Sequence, residues 1–265
     1  MEMVCLCPKA ERKEELPMKR GKFIVLEGID GAGCTTEAIK LKDYIDSKLK
    51  LPVHLTKEPT DGPVGGLIRS ILAKRVGTLS YDGVFQSVEP HSLALLFAAD
   101  RVDHLEVDIK PKLDNGVVVI CDRYYLSSLA YQSLHVDLKW LEAINAKCIT
   151  PDLTIFVQVP PLVAERRRNR SRWHVELYED TAKLEQVAEN YLHIIETLQK
   201  RGHNIVVIDG NRPPREVQRD ITSVVRPLLT TRATTRSRKK EGKQGALQLD
   251  IGLPEESEDG AKGAL

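Results

Sequence analysis

The sequence is short of cysteine, of long apolar runs and of net charge, and each shortage removes a class of function. Its five cysteines, at 5, 7, 34, 121 and 148, are odd in number and unevenly spaced. That argues against a disulfide framework and reads as reduced thiols in a cytoplasmic protein. Cys5 and Cys7 lack the two-residue gap of a zinc knuckle, and no second pair follows, so no structural zinc is expected. No stretch approaches the roughly 20 apolar residues of a membrane span. The opening apolar patch is cut at once by Lys9, Glu11, Arg12, Lys13, Glu14 and Glu15, unlike a secretory signal. A net charge of +1 supplies no general attraction for nucleic acid or membrane, so any affinity for phosphate has to be local. The seven histidines are scattered, and no nucleophilic triad suggests itself.

What is present falls into three parts. Residues 1–20 are charged and aperiodic and read as a flexible leader. From 230 to 265 a basic run (Arg232, Arg236, Arg238, Lys239, Lys240, Lys243) gives way to Asp250, Glu255, Glu256, Glu258 and Asp259, without aromatics. Such a tail buries too little apolar surface to offset its ordering entropy and is expected to be disordered. Between them, residues 21–229 alternate two kinds of segment. Phe23–Leu26, Val53–Thr56, Val117–Cys121, Leu153–Val159 and Ile205–Ile208 are nearly continuous in apolar residues, as buried parallel strands are. Thr36–Leu49, Ser92–Leu113 and Ala182–Lys200 have helical spacing, the second with a polar side through Asp100, Asp103 and Glu106. A last helix runs from Pro213 and Pro214 to Leu229. This alternation predicts one α/β domain with a doubly wound parallel sheet.

The sharpest local pattern is Gly28-Ile29-Asp30-Gly31-Ala32-Gly33-Cys34-Thr35-Thr36. It stands between an expected strand and an expected helix, the context a phosphate loop requires. The glycines permit backbone angles and close approach that a side chain blocks, and amides can converge on phosphate oxygens at the positive end of the helix. Gly28, Gly31, Ala32, Gly33, Cys34, Thr35 and Thr36 are therefore the candidate triphosphate-binding residues, with the Thr35 hydroxyl placed to ligate Mg²⁺. One position departs from the pattern. Lysine, which spans the outer phosphates as a point charge, is expected at 34, where this chain has Cys34. A thiol cannot replace that charge and a thiolate would repel the phosphates, so the substitution bears on turnover. Taken alone, the turn is also open to a reading as mere backbone geometry.

Companion residues collect at other strand ends, where α/β sheets hold ligands. Asp122-Arg123-Tyr124 follows Val117–Cys121; Asp122 can take Mg²⁺ or its waters and Arg123 can pair with phosphate. Lys57-Glu58-Pro59-Thr60 follows Val53–Thr56, with Arg69 beyond. On the long helix, Phe97 and Arg101 are one turn apart on the same face. Phe97 reads either as a ring that stacks on a base or as a core aromatic.

Five segments, in order, resemble the thymidylate kinases over about Gly21 to Leu229. They are Leu26–Gly31, Lys57-Glu58-Pro59, Leu95–Arg101, Cys121–Tyr124 with Ser127–Gln132, and Pro151–Thr154. The resemblance implies a P-loop NTPase fold of three layers, a five-stranded parallel sheet flanked by helices, with an arginine-rich lid. It implies ATP as donor, Mg²⁺, dTMP as acceptor, and a homodimer formed through helices beside the acceptor site. Asp30 would lie near the sugar and phosphates of dTMP. Phe97 would stack on thymine and Arg101 would approach its edge. Arg69 and Arg123 would hold the acceptor phosphate, Tyr131 and Gln132 would lie by the base, and Thr35 and Asp122 would organise Mg²⁺.

The lid corresponds to residues 166–172, which include Arg166, Arg167, Arg168, Arg170 and Arg172. In this family a catalytic arginine comes either from the phosphate loop or from the lid; the loop position here is Gly31, which fits the lid arrangement. Catalysis then falls to Asp30, Arg123, Arg166 and Arg170, and the lid is expected to offset part of the charge missing at Cys34. The other reading of the arginines is a solvated helix end. The alternative functions are a related nucleotide or deoxynucleoside kinase, and a nucleotide-binding homologue whose catalysis is impaired by Cys34.

Overall fold

The computed structural model describes residues 20–169 and 181–230. The leader up to residue 19, the tail from residue 231, and the lid residues Arg170 and Arg172 lie outside the described residues.

Five strands form one sheet in the order β2-β5-β1-β6-β7, parallel throughout. They are β1 (Phe23–Glu27), β2 (Val53–Lys57), β5 (Val118–Asp122), β6 (Leu153–Gln158) and β7 (Ile205–Asp209). All five expected strands are present, within a residue or two of their predicted ends. Alternate residues of β1 serve opposite faces, as the two-residue period of a strand requires. Ile24 and Leu26 pack in one core with Leu41, Leu184, Tyr191, Ile221 and Val225. Phe23 and Val25 pack in a second with Leu105, Ile109, Leu113 and Tyr124. Helices on both faces make the three layers.

The helices are α1 (Cys34–Tyr44), α2 (Pro63–Leu72), α3 (Pro90–His104), α4 (Lys110–Asp114), α5 (Tyr125–Gln132), α6 (Leu138–Ile144), α7 (Pro161–Asn169), α8 (Thr181–Lys200) and α9 (Pro214–Thr230). The long helix expected over Ser92–Leu113 is interrupted, because a π-helical turn at Leu105–Ile109 separates α3 from α4. A second π-helical turn, Ile45–Leu49, follows α1. The polar side assigned through Asp100 needs correction. Asp100 is buried and accepts from the Thr60 backbone N–H (2.8 Å) and hydroxyl (2.6 Å), so it fastens the loop after β2 to α3. A hairpin of β3 (Thr78–Leu79) and β4 (Phe85–Gln86) projects between α2 and α3. Among the described residues, no helix is long and apolar enough to cross a membrane.

The register places Leu26 and Lys57 each beside Asp122. The carboxyl ends of β1, β2 and β5 are thus level, and whatever follows them meets at one edge of the sheet.

Candidate active site

The turn after β1 is shaped by close backbone packing. A Cβ on Gly28 would stand 2.9 Å from both the Cys34 sulfur and the Val157 carbonyl oxygen. Gly31 (φ 90°) and Gly33 (φ 100°) adopt the left-handed conformation that glycine takes without steric cost. A Cβ on Gly31 would also lie 2.2 Å from the carbonyl oxygen of Ala164 in α7. α1 begins directly at Cys34, so the first amides of an 11-residue helix face the turn. The Cys34 side chain points inward and is buried, and burial pushes its thiol pKa up. The residue in the lysine position is therefore a neutral thiol, beside which the start of α1 offers amides and the Thr35 and Thr36 hydroxyls.

Thr35 donates its hydroxyl hydrogen bond to Asp122 Oδ2. Asp122 Oδ1 is buried and has no hydrogen-bond partner among the described residues. An orphaned carboxylate oxygen beside a hydroxyl, at the mouth of a phosphate loop, suits a hard divalent cation.

A cavity of about 650 Å³ opens from this point. Its wall includes Asp30, Arg69, Phe97, Arg101, Asp122, Arg123, Tyr131 and Gln132, so the acceptor-side residues singled out from sequence are gathered in one place. Arg123, itself at φ 73°, lies at the floor. Its Nη2 donates to Asp30 Oδ1 (2.8 Å) and its Nη1 to the Gly28 carbonyl, and its guanidinium sits 5.6 Å from the Tyr131 ring centre. The Tyr131 hydroxyl accepts from the Asp30 amide (2.9 Å). Arg69, on α2, reaches back to the carbonyls of Pro59 (3.1 Å) and Thr60. Phe97 is half-buried on the wall.

Arg101 is 1 % exposed and fully engaged. Its Nε donates to Glu58 Oε2 (2.7 Å), its Nη2 to Ser128 (2.8 Å) and its Nη1 to Asn145. Glu58 also meets His104 Nδ1 at 3.1 Å. A buried charge held this way is directional and costly to disturb.

The arginines of α7 divide. Arg166 is exposed, Arg168 is buried, and Arg167 donates from both terminal nitrogens to the Gly210 carbonyl, each at 3.1 Å. Thr35 lines the same cavity, and Cys34, Thr35 and Thr36 open α1.

A sequence model of the family described as Thymidylate kinase matches residues 26–221. The "Probable thymidylate kinase" of Thermococcus gammatolerans is 39% identical over 206 residues, 77% of this chain and 96% of that protein. That of Staphylothermus marinus is 38% identical over 206 residues, 77% and 94%. That of Pyrococcus abyssi is 39% identical over 209 residues, 78% and 97%. The chain belongs to the thymidylate kinase family.

Within this member of the thymidylate kinase family, several groups carry more of the site than their sequence positions suggested. Glu27 is buried at the end of β1 and accepts from the Tyr124 N–H (2.9 Å), the Ser127 N–H (3.3 Å), the Ser127 hydroxyl and the Tyr191 hydroxyl (3.1 Å). Burial raises its pKa to about 7, against the lowering effect of these donors and of Arg123 nearby. Ser128 and Asn145 hold Arg101, and the Tyr191 hydroxyl ties α8 to Glu27 and Arg123. The available signal was Glu27 itself, an acid closing an otherwise apolar strand run.

Proposed function

We propose that this protein transfers the γ-phosphoryl group of ATP to dTMP, giving dTDP and ADP. The observation that carries the reading is the shared wall: Thr35 and Asp122 border the cavity that Phe97, Arg101 and Arg123 line. A monophosphate held there meets a triphosphate held on the turn, with its phosphate at Arg123 and its base at Phe97. The attacking phosphate oxygen is already anionic, so no strong general base is needed. It forms a bond to the γ-phosphorus as the bond to the β–γ bridging oxygen breaks, and ADP leaves. Positioning and neutralisation of charge supply the rate. Arg123 and Arg69 hold the acceptor phosphate, Asp30 holds Arg123 in place and faces the sugar, and Tyr131 and Gln132 flank the base. Arg101 reads the thymine edge from a fixed position.

Thr35 and Asp122 would hold Mg²⁺, which neutralises phosphate oxygens when bound. Arg166 and Arg170, with their neighbours, deliver further positive charge to the triphosphate and offset part of what Cys34 lacks. Leu95, Ala99 and Val102 of α3 are exposed at steps of four and three, beside exposed Leu67 of α2. This apolar face next to the cavity supports a homodimer. Cys34 and Cys121 are buried free thiols, in keeping with a cytoplasmic protein.

The test is a coupled assay with ATP, Mg²⁺ and each of dTMP, dUMP, dCMP, dGMP and thymidine. Turnover with the highest kcat/KM for dTMP is expected. Calorimetric binding of ATP and dTMP with no dTDP formed would instead identify a binding protein that Cys34 has silenced.

A further inference from the structure

Glu27 touches neither cavity nor phosphate loop surface, yet it is wired to the group that does. Its Oε2 accepts from the Ser127 and Tyr191 hydroxyls. The same two hydroxyls, 2.8 Å apart, are reached by Arg123 Nη1, at 3.4 Å from Ser127 Oγ and 3.3 Å from Tyr191 OH. Glu27 Oε1 meanwhile accepts the amides of Tyr124, which directly follows Arg123 at its φ of 73°, and of Ser127. We propose that Glu27 is a positioning residue, which through the Ser127 and Tyr191 hydroxyls aims the Arg123 guanidinium at the acceptor phosphate.

The relay follows from hydrogen-bond polarity. A guanidinium only donates, so each hydroxyl must offer it a lone pair. A carboxylate only accepts, so it draws the hydroxyl protons to its own side and leaves those lone pairs facing Arg123. A protonated Glu27 donates instead; it takes up one lone pair and turns a hydroxyl proton towards the guanidinium. Tyr191 bonds Glu27 directly, Arg123 acts on it electrostatically, Asp30 pairs with Arg123, and Cys34, Cys121 and Tyr125 lie in the surrounding field. Burial pushes up both thiols and the phenols of Tyr125 and Tyr191, which keeps those four uncharged at neutral pH.

The inference rests on the reading that Arg123 holds the acceptor phosphate, and calorimetry separates the two. Wild-type protein is titrated with dTMP, with thymidine and with ATP near pH 8 and near pH 6, and Glu27→Gln is titrated in parallel, with thermal melts as a check on folding. The expected result is about tenfold weaker dTMP binding by the variant near pH 8, roughly 1.4 kcal/mol. Thymidine and ATP binding stay unchanged, and the difference narrows near pH 6. The second ionisation of the phosphate, near pH 6, affects both proteins alike. Unchanged dTMP affinity near pH 8, or an equal loss for dTMP and thymidine, overturns the positioning role. A wild type that prefers dTMP no more than thymidine overturns the Arg123 reading and this inference with it. If Glu27→Gln does not fold, the Ser127→Ala, Tyr191→Phe double variant removes the relay and keeps the carboxylate. It should lose affinity for dTMP alone, and an unaltered preference for dTMP over thymidine overturns the proposal.

Discussion

Around Arg101 and around Cys34 the protein treats charge in opposite ways. Arg101 is enclosed by Glu58, Ser128 and Asn145, and Glu58 is braced in turn by His104. Each of the three Arg101 side-chain nitrogens has a partner within the protein. At the turn after β1, no cation stands in the lysine position. Cys34 is neutral and buried, and the loop offers amides, two hydroxyls and the end of a helix. On the proposed reading, side chains thus prefabricate the acceptor half, whereas backbone shapes the donor half.

Three changes would sharpen or break that contrast. The largest effect is expected where prefabrication is tightest. Glu58→Ala leaves Arg101 buried with its ion-pair partner gone, a loss of about 3–5 kcal/mol in unfolding free energy. A loss under about 1 kcal/mol in urea titration would mean that the acceptor half adapts rather than being preset.

Glu27 comes next. Folding raises its pKa from 4.5 to about 7, so between those values the folded protein binds a proton that the unfolded chain does not. Its contribution to stability is intact below about pH 4.5 and is lost as pH rises through 7, in all about 3 kcal/mol. Glu27→Gln should flatten this part of the stability profile, measured by urea unfolding between about pH 5 and pH 8. A variant with the wild-type slope would assign the pH dependence to another group.

The smallest effect concerns the donor half. Cys34→Lys restores a point charge to an otherwise intact loop and should raise kcat about tenfold, near 1.4 kcal/mol of barrier. An unchanged kcat would mean that arginines already supply what the loop lacks.

The parts of this architecture that sequence revealed are those with a strong single cause. Buried parallel strands must be apolar on both faces, so Phe23–Leu26 and its four counterparts stood out. The glycine turn stood out because few residues tolerate its angles. The missed elements have mixed causes. α2 contains Gly65 and Gly66 and spans only ten residues, and the π-helical turn after α3 preserves an apolar rhythm that reads as one unbroken helix. Asp100 looked solvent-facing because its partner, Thr60, lies 40 residues away in sequence. The gathering of Asp30, Phe97, Arg101 and Arg123 was legible from motif order, but the bonds that orient them were not. Those bonds run through Ser127 and Ser128, to which the matched segment gave no role, and through Asn145 and Tyr191, which lie in no matched segment.

The tight approach of Gly31 to Ala164 carries a last consequence. A side chain at 31 would have to occupy the space of a main-chain oxygen in α7. An arginine grafted at 31 would therefore have to shift the turn or the Ala164 backbone of α7. The room for a positive charge at position 31 is thus set by which backbone sits against which, down to the bulk of one hydrogen atom.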